Sequence, residues 1–153
     1  MISVYSVAQI RAVESQEIST RGEASLMKQA AAELASTAVA MLADNPGTEP
    51  AFVIALIGPG NNGGDGLYAL AQLQEQGIST LALQYAEQVH VEAASAYQSA
   101  GGTLTDFSDG QGELANASLI IDALYGMGYR AGSPLPSLPA NARVLACDVP
   151  SGL

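Results

Sequence analysis

The sequence predicts an α/β fold, a three-layer α/β/α sandwich built on a Rossmann-like parallel sheet. Three observations carry that expectation. Strand-like and helix-like segments alternate from residue 51 onward. The run AFVIALI at 51–57 is apolar throughout, as a strand buried on both faces must be. That run passes directly into a glycine-rich loop, GPGNNGGDG at 58–66, which is how strand-loop-helix ligand sites are built.

Each element follows from local pattern. Ser6 with Gln9 three residues on is a capping-box pair, so SVAQIRAVESQEIS reads as a short helix. An Ala-rich helix follows over 23–43, with Leu26, Ala30, Leu34 and Met41 at roughly helical spacing, and DNPG at 44–47 stops it. After the 51–57 strand come a helix over 65–76, a strand over 80–84 and a helix near 89–100. GGTLTDF holds a short strand, and ASLIIDALYG a stronger one ending at Asp122. SPLPSLPANA is punctuated by proline and leaves room only for a short helix. RVLACDVP is a last strand ending near Asp148. Alternation of this kind implies right-handed crossovers, and the expected strand order is 3-2-1-4-5. The 153 residues form one domain, 1–153, with no internal repeat.

Composition excludes several partners. The formal net charge is −10, with five Lys plus Arg against fifteen Asp plus Glu. Five cations cannot assemble a surface for nucleic acid or an anionic membrane. No apolar run reaches the length of a membrane span, and the N-terminus lacks a signal-peptide pattern. Cys147 is the single cysteine, which excludes an intrachain disulfide and fits a reducing compartment. The expected location is the cytoplasm.

In parallel α/β sheets, ligands bind outside the carboxyl ends of the strands, where strand order reverses. The loops beginning at Gly58, Asp122 and Asp148 meet there, and they concentrate the chain's Gly, Asn, Asp and Ser. Gly58-Pro59-Gly60-Asn61-Asn62-Gly63 fits the G-x-G-x-x-G pattern of a dinucleotide turn. The same glycines would serve a tight strand-to-helix turn capped by Asp65. Hydride transfer is disfavoured twice. Asp65 stands where a pyrophosphate would bind, and Gln84 occupies the place of the ribose-binding acid, with Glu87 too late.

Asp65, Asp122 and Asp148 would repel one another in one crevice unless one is protonated or a cation lies between them. Asn and Ser oxygens with backbone carbonyls suit an alkali or alkaline-earth ion, and no His/Cys cluster supports zinc. Arg130 is either a solvated surface residue or, in its glycine loop, a phosphate contact. Tyr125 and Tyr129 would cover a ring or pack internally. Cys147 reads as a small core residue within the last strand, and His90 as solvent-facing at a helix start.

At this point a resemblance becomes specific. GPGNNGGDGLYAL, IIDALYGMGYR and ACDVPSGL occur in the order and near the spacing of the YjeF N-terminal domain family. SLMKQAA resembles that family's LMExAG helix, with Lys28 and Gln29 where Glu and Asn are usual, so the resemblance covers nearly the whole chain. Family members of known activity are NAD(P)H-hydrate epimerases, isomerases of nicotinamide nucleotide repair.

The resemblance implies substrate contacts from Asn61, Asn62, Gly63, Gly64 and Asp65. It implies further contacts from Gly126, Met127, Gly128, Tyr129 and Arg130, and from Asp148. It also implies a potassium ion (K+) held by Asn62, Asp122 and Ser151. The expected reaction interconverts the R and S forms of hydrated NADH or NADPH at the hydroxyl-bearing ring carbon. Asp148 is chosen as the acid/base, because the other two carboxylates have structural or cation roles. The alternative is a non-catalytic nucleotide-binding or scaffold module of the same fold.

Members of the family usually continue beyond DVPSGL with further strands. A chain ending at Leu153 would leave the Asp148 strand as a sheet edge, fold through its first four strands, epimerise feebly and be open to pairing as a homodimer. A hydrate dehydratase, fused or separate, is the expected functional companion.

Overall fold

The computed structural model describes residues 5–44, 50–127 and 129–152. Gly128, Leu153 and residues 45–47 of the expected DNPG stop lie outside the described residues. Helix α1 spans Val7–Arg21, and both halves of the Ser6–Gln9 capping box are formed. Helix α2 spans Glu23–Asp44. Then follow β1 (Phe52–Ile57), α3 (Asn61–Glu75), β2 (Ser79–Gln84), α4 (Val91–Ser99) and β3 (Leu104–Asp106). A short α5 (Phe107–Gly110), a 3-10 turn (Gln111–Asn116), β4 (Leu119–Ala123) and β5 (Val144–Ala146) complete the order.

All strand pairs are parallel, and the sheet order is β3-β2-β1-β4-β5. The chain adds strands on one side of β1, then returns to add β4 on the other. The reversal lies between β1 and β4, which pair Leu56 with Asp122 and Ile57 with Ala123 at their carboxyl ends.

Alternate strand residues divide the core into two layers. Val53, Ala55, Ile57, Ile121 and Ala123 face α2, α3 and α4, where Leu67, Leu70, Leu73 and Tyr97 are buried. Ile54, Leu56, Leu83 and Ile120 face the other way, against Leu114, with Phe107 and Leu138 packed on them. The second helical layer is therefore thin, made of α5, the 3-10 turn and irregular chain.

Four expectations are corrected. Helix α3 begins at Asn61, four residues before its expected start, because tertiary packing outweighs the low helix propensity of glycine. A Cβ on Gly66 would lie 2.6 Å from the Cβ of Ala123, and one on Gly63 would overlap the Gly58 carbonyl. Those glycines let the helix press onto the sheet. Residues 133–142 form no helix, since Pro134, Pro136 and Pro139 each remove a backbone donor.

His90 is half-buried, with its Nδ1 accepting from the Ala93 amide at 3.2 Å as the cap of α4. The fifth strand forms, but it stops at Ala146, so Cys147 lies just past it. The Cys147 amide still donates to the Asp122 carbonyl at 2.9 Å, which places the residue at the strand ends.

Candidate functional site

Three stretches converge where β1, β4 and β5 end. The Gly58 amide donates to the Ala123 carbonyl at 3.1 Å, tying the first loop to the second. Asp122, only 7% exposed, ties the second to the third. Its Oδ2 accepts from the Ser151 amide at 2.8 Å, and its Oδ1 from the Ser151 hydroxyl at 2.7 Å and the Leu124 amide at 3.3 Å. Three donors hold this buried carboxylate and fix both loops.

Above this frame opens a crevice of about 470 Å³. It brings together Asn61, Asn62, Asp65, Gly126, Met127 and Asp148 from the expected set. Asp148 is held from below, its Oδ2 accepting from the Met127 amide at 3.0 Å. A Cβ on Gly126 would lie 2.5 Å from that same oxygen, so any larger residue there would push the carboxylate aside.

Other expected residues sit elsewhere. Gly63 and Gly64 are buried inside α3 and present at most backbone. Tyr129 packs against Tyr125 with ring centroids 5.6 Å apart, and its hydroxyl donates to the Ser133 carbonyl at 3.3 Å. Arg130 is exposed and does not line the crevice. The cation that does line it is Arg11 of α1, alongside Glu14 and Ile18. Sequence reasoning missed these three, since nothing in their spacing points to the strand ends. It also missed Cys147, whose position beside Asp148 was the available clue.

The start of α3 changes the reading of the glycine loop. Gly64 makes the helix's first i→i−4 bond, to the Gly60 carbonyl at 3.1 Å. The amides of Asn61, Asn62 and Gly63 therefore have no intrahelical acceptor. Asp65 stands one turn deeper and does not occupy the place of an incoming phosphate. Gly60, at φ 78°, is the glycine of this loop whose backbone requires the left-handed region.

Electrostatics single out Asp65. Burial pushes its carboxyl from the ordinary 3.8 up to about 7; the Cys147 thiol opposes that rise and the Asp148 charge adds to it. The contact with Cys147 is Sγ to Oδ2 at 3.9 Å, and Asp65 Oδ1 is buried without a hydrogen-bond partner. Burial first, and the charges of Asp65, Asp148 and Asp122 after it, push the Cys147 thiol up to about 12, so it is an inert neutral donor.

The oxygen set also bears on a cation. Asp122 keeps unused acceptor capacity and lies in contact with Ser151, and Asn62 Nδ2 is buried without a partner. Exchanging the Asn62 amide nitrogen and oxygen, which differ only by assignment, would turn that orphan donor into an acceptor. These residues fit a hard cation by donor chemistry. No cluster of three His, Cys, Asp or Glu side chains suited to a metal occurs among the described residues. No helix among them is long and apolar enough to cross a membrane.

Comparison with known proteins agrees with this architecture. The family described as YjeF-related protein N-terminus matches residues 23–153. An NAD(P)H-hydrate epimerase of Achromobacter xylosoxidans is 38% identical over 162 residues, covering 97% of this chain and 73% of the relative. One of Microbacterium testaceum is 34% identical over 163 residues, 99% of this chain and 61% of that protein. A bifunctional NAD(P)H-hydrate repair enzyme Nnr of Corynebacterium glutamicum is 37% identical over 166 residues, 100% of this chain but 28% of its own length. The chain thus spans less than two thirds of the latter two. The crystal structure of yeast ynu0, YNL200c, matches with a TM-score of 0.81 over 99% of this chain and 72% of that one. At 18% identity that likeness concerns the fold.

Proposed function

The chain belongs to the YjeF-related protein N-terminus family, and on that premise we propose that it epimerises hydrated NADH and NADPH in nicotinamide nucleotide repair. One observation supports this reading most. Asp148 shares a single crevice with the free amides at the start of α3 and with Asn61, Asn62 and Gly126. An anion-binding end and a proton-transferring group within one crevice suit a phosphorylated ligand whose chemistry is acid–base.

The reactive carbon of the substrate carries a hydroxyl and adjoins the ring nitrogen. Protonation of that hydroxyl lets it leave as water while the nitrogen lone pair forms a C=N bond. Addition of water to the other face, with loss of a proton, gives the opposite epimer. Asp148 acts as acid and base, held in place by the Met127 amide and the close approach of Gly126. The amides of Asn61, Asn62 and Gly63 receive phosphate. Gly64 contributes packing, and Gly128, Tyr129 and Arg130 are proposed as substrate contacts on the resemblance alone.

Potassium is the proposed cofactor. Asn62, Asp122 and Ser151 would hold it, and it would supply a fixed positive charge beside the substrate loop. The proposed setting is the cytoplasm. The proposed companions are a hydrate dehydratase, fused or separate, and a second copy of the chain.

The test is direct. A single NADHX diastereomer is incubated with the protein at its natural length, and chromatography follows its conversion. Interconversion at a rate proportional to protein supports the proposal. Tight nucleotide binding without interconversion would make the chain a binding module.

A further inference from the structure

An epimerisation that expels water from one face of a ring carbon and takes it back on the other requires proton handling on both faces. One carboxylate can serve both faces only by reaching around the ring, whereas two on different walls can each serve one. The crevice contains a second carboxylate on a different wall, with Asp65 entering from α3 and Asp148 from the loop after β5. Asp65 has no structural duty that accounts for it. Helix α3 begins four residues earlier, so it caps nothing, and its Oδ2 meets the thiol of Cys147 at 3.9 Å. Its Oδ1 is buried with no hydrogen-bond partner, an arrangement that costs stability and that no contact of the fold repays.

Resting on the epimerase reading above, we propose that Asp65 is a second proton carrier for the same ring carbon, serving the face that Asp148 does not reach. In one direction the Asp65 carboxyl gives its proton to the leaving hydroxyl. The C–O bond breaks with its electron pair on oxygen, water departs, and the ring-nitrogen lone pair forms an iminium. A second water attacks the opposite face, its oxygen supplying the pair for the new C–O bond. The C=N pair returns to nitrogen, and the attacking water's proton passes to the Asp148 carboxylate. One water leaves, one enters and one proton moves from Asp65 to Asp148. The reverse direction exchanges the roles, and exchange with bulk water resets the pair.

The surroundings support a donor at neutral pH. Burial raises the Asp65 carboxyl to about 7, so a substantial fraction is protonated where the reaction runs. The other charged or titratable groups around the crevice are Arg11 and Glu14 from α1, Glu23 from α2, and Cys147 with Asp148 beyond β5. Asp122 lies beneath, its carboxylate engaged by Ser151.

The experiment measures epimerisation from each diastereomer by wild type, Asp65→Asn, Asp148→Asn and Cys147→Ser in the natural-length protein, with nucleotide affinity and melting temperature in parallel. Asp65→Asn is expected to slow the rate by about 10²–10⁴-fold, with nucleotide affinity retained. Its residual rate should lack the alkaline limb, centred near pH 7, expected of wild type. Cys147→Ser places a stronger donor on Asp65 Oδ2 and should move that limb to lower pH. A wild-type rate in Asp65→Asn overturns the second carrier and leaves Asp148 acting alone. Loss of nucleotide affinity in a folded Asp65→Asn makes it a binding residue and overturns the inference as well. Should Asp65→Asn not fold, an alkaline limb unmoved by Cys147→Ser overturns it. A wild type that interconverts neither diastereomer overturns this inference and the epimerase reading together.

Discussion

Helices α1 and α3 are both 15 residues long and both line the crevice, yet they are held in opposite ways. Helix α3 buries eight residues, among them Leu67, Leu70 and Leu73, and presses its glycines against the sheet. Helix α1 buries none and rests on α2, with Val7 and Val13 exposed. Asn62 and Asp65 therefore ride on a helix fixed by the contacts that make the core, while exposed Asn61 donates from Nδ2 to Glu23 Oε1 at 2.6 Å. Arg11 and Glu14 stand on a wall whose position costs little to change. One side of the crevice is built into the core, and the other rests on a helix that buries no residue.

The largest expected contrast is in stability. Leu67→Ala on α3 removes a fully buried side chain and should cost about 2–5 kcal/mol in chemical denaturation. Ile18→Ala on α1, at a position 40% exposed, should stay within about 0.5 kcal/mol. Equal costs would erase the distinction between the walls.

A second test separates position from stability on the fixed side. Gly126→Ala sets a Cβ against the Asp148 carboxylate and should reduce epimerisation by about 10²-fold, as a displacement near 1 Å does. Its melting temperature should change little, because Gly126 is not part of the core. Retained activity would mean that Asp148 tolerates being moved.

The third prediction concerns pH. The folded-state pKa of Asp65, about 7, lies above its ordinary 3.8, so between those values the folded chain keeps a proton that the unfolded chain has lost. The stability Asp65 contributes is whole below about pH 4 and is lost as pH rises through about 7. Asp65→Asn should therefore be more stable than wild type at pH 8, by on the order of 1 kcal/mol after allowance for solvent screening. That advantage should shrink toward pH 4. A gap that is the same at both values would show that Asp65 carries no such burden.

The smallest effect should appear at α1. Ser6→Ala removes the capping hydroxyl that accepts the Gln9 amide at 3.3 Å. Hydrogen exchange in α1 should quicken while global melting stays put, because this helix opens without the core. A lowered melting temperature would mean that α1 is coupled to the core after all.

The same contrast explains what was legible in the sequence. Strands β1 and β4 are readable because burial on both faces leaves an unbroken apolar run, and the strand order follows from their alternation with helices. The Ser6 capping box is local chemistry and reads directly. The start of α3 does not, because Gly63, Gly64 and Gly66 weaken a helix locally and only the nearby Gly58 carbonyl, Met27 and Ala123 explain them. Arg11 and Cys147 enter the crevice through tertiary packing that no spacing encodes. Asp65 was visible as a carboxylate. Its shift toward neutrality was not, since burial beside Cys147 and Asp148 produces it.

The central claim is that this crevice performs acid–base chemistry at one ring carbon in which Asp148 transfers a proton. The most direct measurement is the interconversion rate of purified NADHX diastereomers by wild type and Asp148→Asn, with nucleotide affinity measured on the same samples. The account predicts a rate lower by about 10²–10⁴-fold in the variant, with affinity largely retained. A variant that epimerises at the wild-type rate would contradict it.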